Sequence, residues 1–380
     1  MGKLIQKFKR ILSSGHREHS PDYILIGSVF LVVLFGLIML SSASSIKAYM
    51  SFGNTYYYFN HQLFGIGIGM IAFFAFSRLN YRIWQEYAGW FLIGSIFLLL
   101  LVFIPGLSAA YGKARSWINV FGFSLQPSEF VKISFLLYLA AWLDRRSGSL
   151  KDIREGIGPF VFVLSFIGLL MLLQPDFGTL SIIAFTSLVV YYVGGGSKRH
   201  IAYIVFFGIL GFILMINLRP YQMNRVKCMI DPSYSPDDIC FQINQSLIAV
   251  GSGGFWGRGF GESRQKFSYI PEVSSDSIFA IIGEETGMLF GVILLLLYLV
   301  IFYRGVVIAK KAPDGYGRIL AIGIVTWLAT QAIINIGGII NLMPMTGVPL
   351  PFISYGGSAM LASLISVGIL VNISKQTKLR

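Results

Sequence analysis

Asp276 stands where a long polar stretch gives way to an apolar one, in Pro271-Glu-Val-Ser-Ser-Asp-Ser-Ile-Phe-Ala280. A carboxylate at such a boundary can accept a proton as a general base, or it can cap the helix that follows. Glu284 and Glu285 lie about two helical turns further along. Ionisable side chains inside an apolar helix are costly, so each is a functional candidate. The three carboxylates together predict a polar cavity open at one end of that helix. A second cluster is Gln126-Pro-Ser-Glu-Phe-Val-Lys132. Glu129 and Lys132, spaced i,i+3, share one helical face and can pair. A Ser128 cap and the helix dipole would account for Glu129, but not for Lys132 one turn deeper. Arg115, in Gly112-Lys-Ala-Arg-Ser-Trp117, reads as a site cation or as an interfacial anchor beside a tryptophan. Asp176, in Gln174-Pro-Asp-Phe-Gly178, reads as an N-cap or as a further acid. Gln331, Asn335 and Asn341 add polarity to a later apolar run. Pro344, Pro349 and Pro351 with Gly347, Gly356 and Gly357 predict a rigid loop after it.

The elements that hold these residues follow from composition. Of 380 residues, 55% are hydrophobic and 12% are charged, and the mean hydropathy is +0.71. A water-facing globule carries about a quarter charged residues, so a soluble protein is excluded. The 32 Phe, 19 Tyr and 6 Trp exclude a disordered chain. A bilayer helix needs about 20 mostly apolar residues. Apolar runs at 23–41, 61–77, 88–105, 128–143, 157–174, 177–195, 201–217, 277–303, 319–341 and 358–373 therefore predict an all-α integral membrane protein of about ten transmembrane helices.

Ten spans put both termini on one side. That side collects most of the 30 lysines and arginines, among them Arg78, Arg82, Arg145, Arg146, Lys198, Arg199, Lys310 and Lys311. The positive-inside rule makes this face cytoplasmic. Topology and anionic lipid then account for the net charge of +13, and nucleic acid is not needed as a partner. Residues 1–22 read as a basic cytoplasmic tail before an uncleaved first helix, 23–374 as the membrane domain and 375–380 as a second cytoplasmic tail. Between helices 7 and 8, residues 218–275 form a large extracytoplasmic loop, with Pro220, Pro232, Pro236 and Pro271 as helix breakers. Its stretch Phe241 to Val250 is amphipathic and is expected along the membrane surface. Six glycines between Gly251 and Gly261 read as tight turns, since no strand precedes them and GxGxxG is absent. Cys228 and Cys240 are either a disulfide or two isolated thiols. There is no CxxC and no His cluster to support zinc or haem.

These motifs in this order resemble the SEDS family of shape, elongation, division and sporulation proteins, which comprises FtsW, RodA and SpoVE. The resemblance is carried by Gly112 to Trp117, Gln126 to Lys132, Leu173 to Thr179, Gly251 to Gly254, Ser263 to Phe267, Ser275-Asp276 with Ile278 to Glu285, and Pro349 to Ser358. It covers roughly Tyr23 to Ser374, and Ser275-Asp276 with the ending Ser366 to Ser374 looks most like FtsW. One departure is Ser277, where the family usually has an aromatic. The resemblance implies a peptidoglycan glycosyltransferase that polymerises lipid II at the outer face of the bacterial cytoplasmic membrane, in cell division. It implies Asp276 as the catalytic base and Arg115, Glu129, Lys132, Glu284 and Lys266 as substrate-binding residues. It further implies a class B penicillin-binding protein and other divisome proteins as partners. A divalent cation, Mg2+ or Mn2+, is a further source of positive charge beside Arg115 and Lys132. Composition alone fits a lipid II flippase as well, whereas a non-catalytic divisome scaffold would leave the buried charges unexplained.

Overall fold

The structure is a computed structural model that describes residues 19–377 apart from 105–107, 112–113, 121–122, 151, 153–155, 219, 236–237, 268 and 271. The basic tail over 1–18 and the last residues 378–380 therefore lie outside the described residues, as do Pro236, Pro271, Lys151 and Arg154. Ten long helices follow the ten apolar runs. They are α1 (Tyr23–Phe52), α2 (Tyr57–Arg78), α3 (Arg82–Leu101), α4 (Pro127–Arg145), α5 (Gly158–Leu173), α6 (Phe177–Val193), α7 (Lys198–Leu218), α10 (Ile278–Lys311), α11 (Gly315–Ile339) and α12 (Gly357–Lys375). Two shorter helices, α8 (Pro220–Ile230) and α9 (Phe241–Gly253), lie in the segment between α7 and α10. Among the described residues seven helices are individually long and apolar enough to cross a bilayer, and α5 and α6 are shorter apolar helices. The tenth, α4, carries Glu129, Lys132, Asp144 and Arg145 within its 19 residues, which dilutes its apolar signal.

Local chemistry sets the helix ends. Asp22, Asp176 and Asp314 cap α1, α6 and α11, accepting from the amides of Leu25, Thr179 and Gly317. Pro127 and Pro220 occupy the first positions of α4 and α8, where a missing N–H costs nothing. Pro220 thus starts a helix instead of breaking one. The first helix runs eleven residues past its apolar stretch to Phe52, closed by Gly53 in the left-handed region. Its polar end is held by protein contacts described below.

Helices α11 and α12 are buried along most of their length at the centre of the bundle, whereas α7 shows mostly exposed apolar side chains. The pairs α2–α12, α3–α4 and α10–α11 pack most extensively. The connection before α4 is a three-stranded antiparallel meander that the sequence reading did not foresee, with β1 (Ser108–Tyr111), β2 (Ala114–Val120) and β3 (Phe123–Leu125). Its register pairs Ala109 with Trp117 and Ile118 with Leu125. In the long outer segment Cys228, near the end of α8, and Cys240, just before α9, form a disulfide with Cα atoms 5.4 Å apart. Helix α9 packs on α10 and buries Ile243, Ser246 and Ala249, while Ile248 stays exposed.

Candidate active site

Asp276 sits directly before α10, but it does not cap it. Ser277 occupies the N-cap position and no side chain bonds there. The cause lies across the bundle in Asn335 of α11, whose Nδ2 donates to the carbonyls of Asp276 (2.8 Å) and Val348 (2.7 Å). Those two bonds fix the Asp276 backbone against the loop before α12 and leave its carboxyl pointing elsewhere. Ser277 is fully buried and meets Gln242 of α9 at 3.1 Å, contacts that an aromatic could not make in that space. Asp276 is half-buried, and its Oδ1 accepts from Ser277 Oγ at 3.4 Å. A Cβ on Gly347 would lie in ordinary contact with Oδ2, at 3.6 Å, and the φ of +75° at Gly347 is a backbone conformation that favours glycine. Surrounding protein, and then the Glu272 carboxylate, raise the Asp276 pKa to about 6, against a smaller opposing effect of Arg225.

A buried ion pair on α4 meets α11 one turn before Asn335, at Gln331. Lys132 Nζ bonds Glu129 Oε1 at 2.8 Å and Gln331 Oε1 at 2.7 Å, and sits 4.9 Å over the Trp327 ring. Gln331 also receives the Trp327 indole N–H (2.8 Å) and donates to the Pro349 carbonyl (2.9 Å). Both charged side chains are nearly solvent-free, at 2% and 1% exposure. Gln331 and Asn335 are four residues apart, about 6 Å along the axis. One face of α11 therefore holds Lys132 and the Asp276 backbone to the same loop. Ser128 is no cap: α4 begins after Gln126 without a side-chain bond, and the buried Ser128 Oγ has no protein partner. Glu129 Oε2 is likewise without one. Asn341 lies beyond the end of α11, in the left-handed region, and its Nδ2 donates to the Met229 carbonyl of α8.

The meander and the start of α6 frame the other side. Ser116 of β2 donates to the Gln174 carbonyl at 3.2 Å, and Gln174 Nε2 donates to the Leu99 carbonyl at 2.9 Å. Asp176 caps α6 through Oδ1, while its buried Oδ2 lacks a protein partner. A Cβ on Gly178 would meet Val348 and Thr346, so the α6 terminus abuts the same loop that borders Asp276. Arg115 lies in β2, one residue before Ser116; its side chain lies outside the described residues. The strands were missed because Ala114 to Val120 is too short for its alternation to stand out. Gly347 carries no side-chain chemistry that a sequence scan could notice.

Glu284, Glu285 and Lys266 do not open into a cavity with Asp276, which corrects that expectation. Glu284 accepts from Ser263 Oγ, Arg264 N (3.0 Å) and Gln265 N (3.3 Å). Lys266 Nζ bonds the Gly261 carbonyl (2.6 Å), Ser42 Oγ (3.0 Å) and Glu285 Oε1 (3.1 Å). Ser42 also donates to Glu285 at 2.6 Å, which ties α1 to this cluster. The physical reason for this latch is a break in α10 at Gly287, with φ +72°. The break frees backbone groups that must find partners away from water. Met288 and Leu289 donate to the carbonyls of Gly254 and Phe255, and the carbonyls of Glu284 and Glu285 accept from Arg258 and Gly259. A Cβ on Gly257 would overlap the Glu285 carbonyl. The glycine-rich stretch is thus the backbone that repairs a broken helix.

Among the described residues no group of three or more His, Cys, Asp or Glu comes together to hold a metal ion. Glu272, the carboxylate nearest in effect to Asp276, is already paired with Lys47 at 3.2 Å. Among the described residues, then, Asp276 and Glu272 are not joined by a third such donor. What the site does present is the Asp276 carboxyl, accepting from Ser277 Oγ at 3.4 Å and raised in pKa, at one end of the bundle. Such a carboxylate suits proton abstraction near neutral pH.

The sequence pattern of the FtsW/RodA/SpoVE family, described as "Cell cycle protein", matches residues 22–379. Stage V sporulation protein E of Bacillus subtilis is 39% identical over 362 residues, covering 95% of this chain and 99% of that protein. The "Probable peptidoglycan glycosyltransferase FtsW" of Geobacter sp. (strain M18) is 34% identical over 362 residues, with coverage of 95% and 99%. Among solved structures, a chain from a study of the structural coordination of polymerization and crosslinking by a peptidoglycan synthase complex superimposes with a TM-score of 0.77. It is 26% identical, covering 93% of this chain and 97% of that one. The rod shape determining protein RodA of Thermus thermophilus shares the fold, with a TM-score of 0.69 at 24% identity and coverage of 95% and 98%.

Proposed function

The chain belongs to the FtsW/RodA/SpoVE cell cycle protein family, and on that premise we propose that it is a peptidoglycan glycosyltransferase. It polymerises lipid II into glycan strands at the outer face of the cytoplasmic membrane, in cell division. The observation that carries this reading is the Asp276 carboxyl, held at a helix start by Asn335 and raised to a pKa of about 6. At pH 7 such a group is about nine-tenths ionised and still basic enough to take a proton. In the reaction an acceptor sugar hydroxyl attacks the anomeric carbon of the lipid-linked donor. A glycosidic C–O bond forms, the bond from that carbon to the pyrophosphate oxygen breaks, and Asp276 takes the hydroxyl proton.

Charge gathers on the departing pyrophosphate, and Arg115 is our candidate to meet it. Glu129 and Lys132 pair with each other inside the bundle, through Glu129 Oε1. We assign them to holding Gln331 and the loop over Pro349, and through it the geometry around Asp276. Glu284 and Lys266 fix the outer segment on α1 and α10 and so shape the site without touching its reacting atoms. A divalent cation, Mg2+ or Mn2+, is assigned to the pyrophosphate of the substrate and not to a cage in the protein. The partner is a class B penicillin-binding protein that cross-links the product, together with other divisome proteins. The basic helix ends mark the cytoplasmic side, with both termini there.

A broken helix is also a mark of transporters, where freed backbone lines a substrate path. Here the groups freed at Gly287 are bonded to residues 254–259, so the break does not favour a flippase. Purified protein given lipid II, with and without the class B partner, should yield glycan polymer. Movement of lipid II across a bilayer with no polymer, even with the partner present, would replace this reading with the flippase.

A further inference from the structure

A groove of about 470 Å³ runs between α3 and α4 at the basic end of the bundle, remote from Asp276. Its volume falls in the range of sites for small molecules, roughly 300–1,000 Å³. The two helices are antiparallel, so the start of α3 and the end of α4 meet there. Gln85 Nε2 donates to Asp144 at 2.9 Å and Arg145 Nη2 donates to the Gln85 carbonyl at 3.3 Å, which locks the polar end. Arg146 sits 5.6 Å from the centre of the Trp142 ring. The exposed side chains of Arg145, Arg146 and Glu86 line this end.

Toward the bilayer interior the lining changes character. Ile93 and Tyr138 lie about two turns, roughly 12 Å, from Gln85 and Arg146 respectively. Trp90, 73% exposed, stands between the two ends. Ala88 and Ala141 are buried in the floor, and a Cβ on Gly89 would meet open space. The groove is therefore cationic where the headgroup layer begins, aromatic at the interface and apolar below it. That order matches a phospholipid standing in its leaflet, and two arginines against one glutamate favour an anionic one.

We propose that this groove binds an anionic phospholipid, with Arg145 and Arg146 on its phosphate and Trp90, Tyr138 and Ile93 along its acyl chains. The site is independent of the chemistry at Asp276. It ties the end of α4, whose start carries Glu129 and Lys132, to the lipid composition of one leaflet.

The test is native mass spectrometry of the purified full chain titrated with phosphatidylglycerol or phosphatidylcholine. A net single positive charge in the lining predicts about a fivefold preference for phosphatidylglycerol. The double variant Arg145→Gln with Arg146→Gln should lose that preference. Gly89→Leu, which fills the groove and leaves both arginines in place, should lower phosphatidylglycerol binding while the helix remains intact. Millimolar inorganic phosphate should leave the bound lipid in place. Equal binding of the two lipids to the unaltered chain, or a preference retained by the double variant, would overturn the proposal. Displacement of phosphatidylglycerol by phosphate would also overturn it, by showing a site for a soluble anion.

Discussion

Replacing Asp276 with Asn separates the two physical effects that meet at this carboxyl. Its folded-state pKa of about 6 lies above the ordinary value of 3.8, so the ionised form opposes folding. The neutral form carries no such penalty, and the handicap therefore appears as pH rises through this window. A gap of about two pH units corresponds to a ceiling of about 3 kcal/mol, lowered by the partial exposure of the group. Linkage gives about 0.5 kcal/mol at pH 4, about 1.5 at pH 5 and the ceiling only above pH 7. Asp276→Asn keeps the size, removes the charge and forfeits no helix cap, since Asp276 makes none. The variant should therefore be more stable than the unaltered chain at pH 7.5 by roughly 2–4 °C in Tm. The difference should shrink toward zero near pH 4. Thermal unfolding in nanodiscs across that range, read by intrinsic fluorescence, measures it. A variant less stable than the parent at every pH would refute the reasoning and restore the capping role.

Three further outcomes follow from the same geometry. Lys132→Met strands Glu129 in a buried site and should cost about 3–5 kcal/mol, most of it recovered when Glu129→Leu is added; thermal melts of the single and double variants check this. Joint replacement of Cys228 and Cys240 by Ser opens a loop of about a dozen residues and should cost about 3 kcal/mol, seen as earlier proteolysis between α8 and α9. Gly347→Ala places a Cβ beside the Asp276 carboxyl at a positive φ. Polymerisation should drop about tenfold for about 1 kcal/mol of stability, which paired activity and melting measurements resolve.

What the sequence made legible was what the bilayer demands. Each spanning helix needs an unbroken apolar run, so the ten runs located ten helices to within a few residues at most ends. The same rule exposed Glu129, Lys132, Glu284 and Glu285, because charges in apolar runs need partners. It could not say which partners. Lys132 found Gln331, 199 positions away, and Glu285 found Ser42, 243 positions away. No local pattern carries that information. The break at Gly287 was hidden because one glycine between Glu284-Glu-Thr286 and the apolar run from Met288 reads as an ordinary helix residue. Asp276 looked like a cap because caps are decided locally, whereas here Asn335 sets the backbone from another helix. The meander of β1 to β3 was invisible for want of length.

The central claim is that Asp276 carries the proton in glycan extension. The most direct measurement is the pH dependence of lipid II polymerisation by the partner-bound protein, for the unaltered chain and for Asp276→Asn. The account predicts a rate that falls below an apparent pKa of about 6, because protonation removes the base. It predicts a loss of about a hundredfold or more in the variant, with that acid limb gone. A variant polymerising within a few-fold of the parent, with the same acid limb, would take the catalytic role away from Asp276.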